Sequence, residues 1–285
     1  MKPVIKWVGG KSALAPELTK LINTKTIGEH RYYEPFAGGA AITLAVKPTK
    51  CILGDLNSEL INMYEVIRDN PGDLILQLTY YETIHAENPE YVYYTIRSYD
   101  RADNWNEIDP VSKAARTIYL NKTCFNGLYR VNKQGYFNAP LGRTSSGKAP
   151  TIVDKDAILE LSAYLQDYCM IRNSSYINTV SDATEGDVVY LDPPYDYENE
   201  DGFTNYQKEG WNRSDLELLH DTCVDLVKRG VKVVVSNNAT TFVKELFSKS
   251  DLFQIYEVDC RRNINCKGSK RGPVKEVIIY SKNFC

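Results

Sequence analysis

The segment Tyr32-Tyr33-Glu34-Pro35-Phe36-Ala37-Gly38-Gly39-Ala40 reads as a short strand running into a glycine turn. A short helix is expected after it, and then the apolar strand Cys51-Ile52-Leu53, which closes at Asp55. Apolar residues next recur at helical spacing, at Leu60, Ile61, Tyr64 and Ile67, and the pattern stops near Asn70-Pro71. A strand, glycine turn, helix and second strand ending in an acid form the opening of a nucleotide-binding α/β fold.

The next block has a different texture. Residues 71–123 are helical in pattern and rich in tyrosine, and residues 124–142 break into a glycine- and asparagine-punctuated run. A β-hairpin is expected around Asn132-Lys133-Gln134-Gly135. The α/β pattern resumes near residue 151. Val188-Val189-Tyr190-Leu191 suits a buried parallel strand, and Ser214-Asp215-Leu216-Glu217 suits a capping box opening a helix that stops at Gly230. Val231 to Val235 and Val274 to Tyr280 are expected to be further strands. The expected organisation is therefore a Rossmann-like α/β domain from residues 1–57 and 151–285. A helical and β-hairpin segment is inserted at 58–150, with its hairpin at about 124–143.

Composition narrows the class. A chain of 285 residues with 43% hydrophobic and 25% charged content is neither disordered nor membrane-embedded. It has no apolar run of 18 residues and no signal-peptide h-region at Met1-Lys2-Pro3-Val4, so a cytoplasmic address is expected. Seven scattered cysteines read as reduced thiols, mostly buried, and three histidines give no recognisable metal spacing. The net charge of −3 argues mildly against a nucleic-acid partner, but its distribution argues for one. Residues 121–150 and 261–275 carry basic residues without a single acid, either as phosphate-binding loops or as solvated ones.

Chemistry concentrates in Asp192-Pro193-Pro194-Tyr195, directly after the strand Val188–Leu191. Ligands in open α/β sheets bind beyond the carboxyl ends of strands. An exocyclic aromatic amine is a poor nucleophile because its lone pair is delocalised, and acceptors aimed at its N–H groups favour the reactive, pyramidal nitrogen. Asp192 offers a carboxylate, Pro193 a carbonyl on a turn stiffened by two prolines, and Tyr195 a ring on which an extruded base can stack.

This tetrad resembles the catalytic motif of amino-group DNA methyltransferases. Its place after the glycine motif Glu34-Pro35-Phe36-Ala37-Gly38-Gly39 and an intervening block is similar to the order of their α group. Lys6-Trp7-Val8-Gly9-Gly10-Lys11, Cys124-Phe125-Asn126-Gly127-Leu128-Tyr129-Arg130-Val131-Asn132 and Phe137-Asn138-Ala139-Pro140-Leu141-Gly142-Arg143 resemble motifs of the Dam-type, D12 class adenine methyltransferases. Gly9-Gly10-Lys11-Ser12 is not a phosphate-binding P-loop, because Ile5 stands where that motif needs glycine.

The resemblance implies a class I S-adenosylmethionine-dependent methyltransferase fold and methyl transfer to the 6-amino group of an adenine flipped out of duplex DNA. It also implies that residues 1–57 and 151–285 form the catalytic domain and 58–150 the target-recognition domain, read through the hairpin at about 124–143. Asp192, Pro193 and Tyr195 would be catalytic, and Trp7, Lys11, Phe36, Asp55 and Asp192 would hold the cofactor. For Asp55 elementary chemistry agrees, since an acid closing the second strand is placed to accept from ribose hydroxyls. On the DNA side, Arg130 would fork onto guanine O6 and N7, and Leu128 and Pro140 would meet a thymine methyl. Phe125, beside Asn126, would wedge into the duplex, Lys6 would touch base or phosphate, and Arg143 would touch phosphate. The implied site is GATC. The implied enzyme is a monomer that needs no metal and no covalent intermediate. Rival readings are methylation of the cytosine amine or of RNA, a dinucleotide-dependent oxidoreductase, and a DNA-binding protein without catalysis.

Overall fold

The structure, a computed structural model, describes residues 1–7, 9, 11, 14–142, 150–198, 211–261 and 273–284. Arg143 and most of the 261–275 basic run therefore lie outside the described residues. Seven strands occur among them: β1 (Tyr32–Glu34), β2 (Cys51–Asp55), β3 (Cys169–Asn173), β4 (Val188–Leu191), β5 (Lys232–Asn238), β6 (Phe253–Arg261) and β7 (Pro273–Ser281). They form one sheet in the order β3-β2-β1-β4-β5-β7-β6. β1 is parallel to β2 and β4, β4 is parallel to β5, and β7 runs antiparallel between β5 and β6. This is a mixed α/β architecture, the fold class expected from the sequence.

The strands expected at 32–34, 51–55, 188–191, 231–235 and 274–280 are present, although β5 extends to Asn238. β3 and β6 were not anticipated. The helix Arg213–Lys228 corrects one detail: its capping box is built from Asn212 and Asp215, two residues earlier than the Ser214 signal. Asn212 is the better N-cap because its side chain accepts from both Ser214 N and Asp215 N, while Asp215 accepts back from Asn212 N at 2.7 Å. The helix stops where Gly230 takes a φ of +81°.

The chain divides into two compact units. One comprises Lys11–Ala37, Val46–Gly54 and Ser174–Cys285. Its core joins Val189 and Leu191 of β4, Val233 and Val235 of β5, and Val277 and Ile279 of β7 to Leu216, Leu219, Cys223 and Leu226 of the helix Arg213–Lys228. Full burial on the sheet explains why these strands read as unbroken apolar runs.

The other unit comprises Met1–Gly10, Gly38–Ala45 and Asp55–Asn173. Its helices Ser58–Asp69, Pro71–Glu87, Pro89–Ser98 and Pro110–Thr123 each follow an Asn or Asp, three begin with proline, and Asn57, Asn88 and Asp109 cap them through side-chain oxygens. The tyrosines supply its core: Tyr81, Tyr93 and Tyr119 are buried, and each buried hydroxyl needs a partner. Tyr93 donates to the Ala139 carbonyl at 2.8 Å, and Tyr119 pairs with His85 Nδ1 at 2.7 Å. The expected hairpin is present, with Val131 opposite Phe137 and Gly135 at φ +83° in its turn. Cys51, Cys124 and Cys223 are buried free thiols, and Cys169 is half-buried. No helix among the described residues is long and apolar enough to cross a membrane.

Candidate functional site

In the sheet-bearing unit the direction of winding reverses between β1 and β4, and Phe36 and Asp192 follow those two strands. Open sheets bind ligands at such a switch point. Asp192 is 19% exposed at its side chain and is held from two directions. Lys11 Nζ lies 2.7 Å from Oδ2, and Ser236 Oγ donates to Oδ1 at 2.8 Å. Each oxygen keeps a second lone-pair direction, so the carboxylate can still accept from another group. Burial pushes the Asp192 carboxyl above the usual carboxylate range, while the Lys11 ammonium and the Ser236 hydroxyl pull it back down.

Tyr195 is half-buried, its hydroxyl donates to Glu276 Oε2 at 3.3 Å, and Lys11 Nζ sits 4.5 Å from its ring centroid. Lys11, distant in sequence, thus meets Asp192 and Tyr195 in one cluster. Pro193 is buried within the turn. The residue after the tetrad anchors it. Asp196 N donates to Asn237 Oδ1 at 2.9 Å, and the Asp196 carboxylate accepts from Thr240 Oγ1 at 2.7 Å. Phe36 stacks on Tyr176 at 5.3 Å and meets the edge of Trp211 at 5.6 Å.

The other unit holds a second group of expected residues. Asp55 Oδ2 accepts from Gly38 N at 3.1 Å and Oδ1 from Asn57 N at 2.9 Å. Burial raises the Asp55 pKa, opposed by those backbone donors. Gly38 takes a φ of +47°, and a Cβ there would fall 2.7 Å from Trp7 Cδ1, so only glycine lets the indole lie against this turn. Trp7 also stacks on Tyr129 at 5.2 Å, and Tyr129 donates to Glu59 Oε2 at 3.2 Å.

The hairpin side of this unit gathers the expected DNA contacts. Asn121 brackets Lys6, accepting from Lys6 N at 2.9 Å and donating to Lys6 O at 2.6 Å and Gly127 O at 3.1 Å. Gly127 has a φ of +66°, and a Cβ on it would press on Lys6 Cβ at 3.0 Å. Between them Phe125 and Asn126 stand exposed, Phe125 by 45%, with Asn126 in the left-handed region at φ 57°. A non-glycine residue held there carries strain of the kind found at functional sites. Pro140 is exposed and its carbonyl accepts from Phe125 N at 2.9 Å, Leu128 is half-buried, and Arg130 is exposed. Arg143 falls outside the described residues.

Ser236, Glu276, Asn121, Tyr129 and Asn138 were not singled out from sequence. Ser236 had a signal: it is the first polar residue after Val233–Val235, and because Leu191 pairs with Val235, Asp192, just past the end of β4, comes beside Ser236 within β5.

Residues 7–264 match the family model for D12 class N6 adenine-specific DNA methyltransferases. The chain is 37% identical over 281 residues to Type II methyltransferase M1.LlaDCHI of Lactococcus lactis subsp. cremoris, covering 98% of this chain and 95% of that protein. It is 34% identical to Type II methyltransferase M.MjaIII of Methanocaldococcus jannaschii, covering 95% of each. It is 30% identical to the DNA adenine methylase of Escherichia coli K12, over 98% of this chain and 94% of that one.

Proposed function

The chain belongs to the D12 class N6 adenine-specific DNA methyltransferase family, and from that premise we propose its particular activity. It transfers methyl from S-adenosylmethionine to the 6-amino group of an adenine extruded from duplex DNA, within GATC. One observation carries this reading above the others. Asp192, at the carboxyl end of β4, is oriented by Lys11 and Ser236 yet keeps acceptor capacity on both oxygens, beside the half-buried ring of Tyr195.

The residues present fit the donor. Asp55 receives the Gly38 N–H on one oxygen and the Asn57 N–H on the other, and its remaining acceptor capacity would serve a ribose diol. Trp7 and Phe36 provide aromatic surface, and Lys11 a cation. When bound, S-adenosylmethionine supplies a methyl group made electrophilic by its sulfonium. The protein's work is then to hold and orient. Asp192 and the Pro193 carbonyl accept the two amine N–H groups and turn the nitrogen lone pair out of the ring, and Tyr195 stacks on the base. Asp192 would also stabilise the positive charge that develops on the amine as its nitrogen bonds the methyl carbon and the methyl–sulfur bond breaks, before the amine releases one proton. Positioning of this kind supplies much of the acceleration when the donor is intrinsically reactive.

Labelled S-adenosylmethionine and unmethylated duplex DNA test the proposal directly, followed by mapping of the modified positions. Label in 6-methyladenine within GATC is expected. Label in 4-methylcytosine, or none in DNA, overturns the reaction; 6-methyladenine in another sequence overturns only the site.

A pH profile tests the role of Asp192. The ionised carboxylate is the accepting form, so the rate should fall as pH drops through a pKa raised by burial. Lys11 lowers that pKa, so Lys11→Met should lift it and move the acid limb of the single-turnover rate to higher pH, measured at saturating cofactor. An unmoved limb, or one moved to lower pH, would reject this coupling.

A further inference from the structure

Arg130 and Asn138 stand opposite each other in the hairpin, one step from the paired Val131 and Phe137, with Asn138 N donating to Arg130 O at 2.8 Å. Their side chains are joined as well. Arg130 Nε donates to Asn138 Oδ1 at 2.7 Å, and Arg130 Nη2 donates to the Asn138 main-chain oxygen at 3.0 Å. A guanidinium has two forked edges, one formed by Nε with Nη2 and one by Nη1 with Nη2. Asn138 takes the first edge completely. The second edge has no hydrogen-bond partner among the described residues, and Arg130 is exposed.

Asn138 is itself fixed from behind. Its neighbours Phe137 and Ala139 are buried, and their carbonyls accept from Arg101 Nη2 at 2.7 Å and from Tyr93 Oη at 2.8 Å. Strand alternation then sets Asn138, between them, on the opposite face, the one it shares with Arg130. An exposed arginine ordinarily samples many rotamers, and ordering it on binding costs free energy. Here two hydrogen bonds from one residue order it in advance.

We infer that Asn138 is a specificity-positioning residue, which occupies one edge of the Arg130 guanidinium and so presents the other edge for bidentate reading of guanine. This rests on the proposed reading of the hairpin as the DNA reader. It assigns to Asn138 no contact with DNA.

The test measures methylation of the preferred duplex and of all its single-base variants, with binding to each at two salt concentrations. Arg130→Ala should relax discrimination at one base pair by about ten- to a hundredfold. Asn138→Ala should relax discrimination at that same pair, by a smaller factor. Arg130→Ala/Asn138→Ala should be no less discriminating than Arg130→Ala, because the second change acts only through the first. Asn138→Asp keeps an acceptor at the same place and should restore the ratio between correct and incorrect sequences. Weakening of all sequences alike by Asn138→Ala, with a shallower salt slope, would mean a phosphate contact and overturn the inference. Fully additive losses in the double variant would overturn it too. If Arg130→Ala leaves site preference unchanged, the reading of the hairpin falls and the inference with it; if only Asn138→Ala does so, the inference alone fails.

Discussion

Replacing Asp192 with alanine is expected to reduce methyl transfer by about a hundred- to a thousandfold, the usual loss when one preorganised polar group is removed from a reacting centre. The change deletes the proposed acceptor for the target amine and leaves Lys11 without the carboxylate 2.7 Å from its ammonium. The strands around it should hold, because Asp192 lies past the last residue of β4 and contributes nothing to the pairing of Val188–Leu191 with β5. Circular dichroism and the unfolding midpoint should therefore stay near those of the wild type while turnover collapses. Asp192→Asn separates shape from charge: it keeps one oxygen but replaces the other by a donor, and it too should be severely impaired. Activity of Asp192→Ala within tenfold of wild type would remove Asp192 from the reaction.

Arg116→Ala should destabilise the helical unit by about 3 kcal/mol, near the lower end for breaking a buried ion pair. Arg116 is fully buried in the helix Pro110–Thr123. Its guanidinium lies 2.7 Å from Asp100 Oδ2, donates to the carbonyls of Ile96 at 3.1 Å and Arg97 at 2.9 Å, and rests over Trp105. The truncation would remove one of the donors to each of the Ile96 and Arg97 carbonyls, which keep Tyr99 N and Arg101 Nη1, and would open a void where the long side chain ran. Asp100 would keep Arg101 and the Phe137 N–H, which is why the top of the range is not expected. Arg116→Met should recover part of the packing and none of the hydrogen bonding, so its stability should lie between the two. Because Asp100 receives the Phe137 N–H at 2.7 Å, loosening this network should also reach the hairpin. Denaturant unfolding monitored by far-ultraviolet circular dichroism checks the magnitude. A loss under about 1 kcal/mol would show that the buried arginine is dispensable to the fold.

These two residues differ in how far a reader of the sequence could reach them. Asp192 sits in a contiguous tetrad behind an apolar run, so its neighbours in the chain announce it. Arg116 lies in a helical stretch where a lysine or arginine is ordinarily a solvated surface residue, and nothing adjacent marks it as buried. The central strands were legible for the same reason as Asp192. β4 and β5 are covered on both faces, which demands unbroken apolar runs, and the glycine turn after β1 demands a positive φ that Gly38 supplies. β3 and β6 leave a weaker mark in the sequence because they are the outermost strands of the sheet. An edge strand tolerates charge, and β6 carries Glu257, Asp259 and Arg261 among its apolar residues, which blurs the pattern.

The sequence by itself determined the α/β class, the tetrad Asp192–Tyr195, the acid closing β2 and the hairpin, because each is written in residues close together along the chain. Only the tertiary structure decided what those residues do to one another. It brought Lys11 and Ser236 onto opposite oxygens of Asp192, closed Asn121 around Lys6, and set Asn138 across from Arg130. Such pairings join residues that are distant in the chain or opposed across strands. They depend on strand register and helix packing, which are fixed by the burial of the whole core and leave no local trace in the sequence.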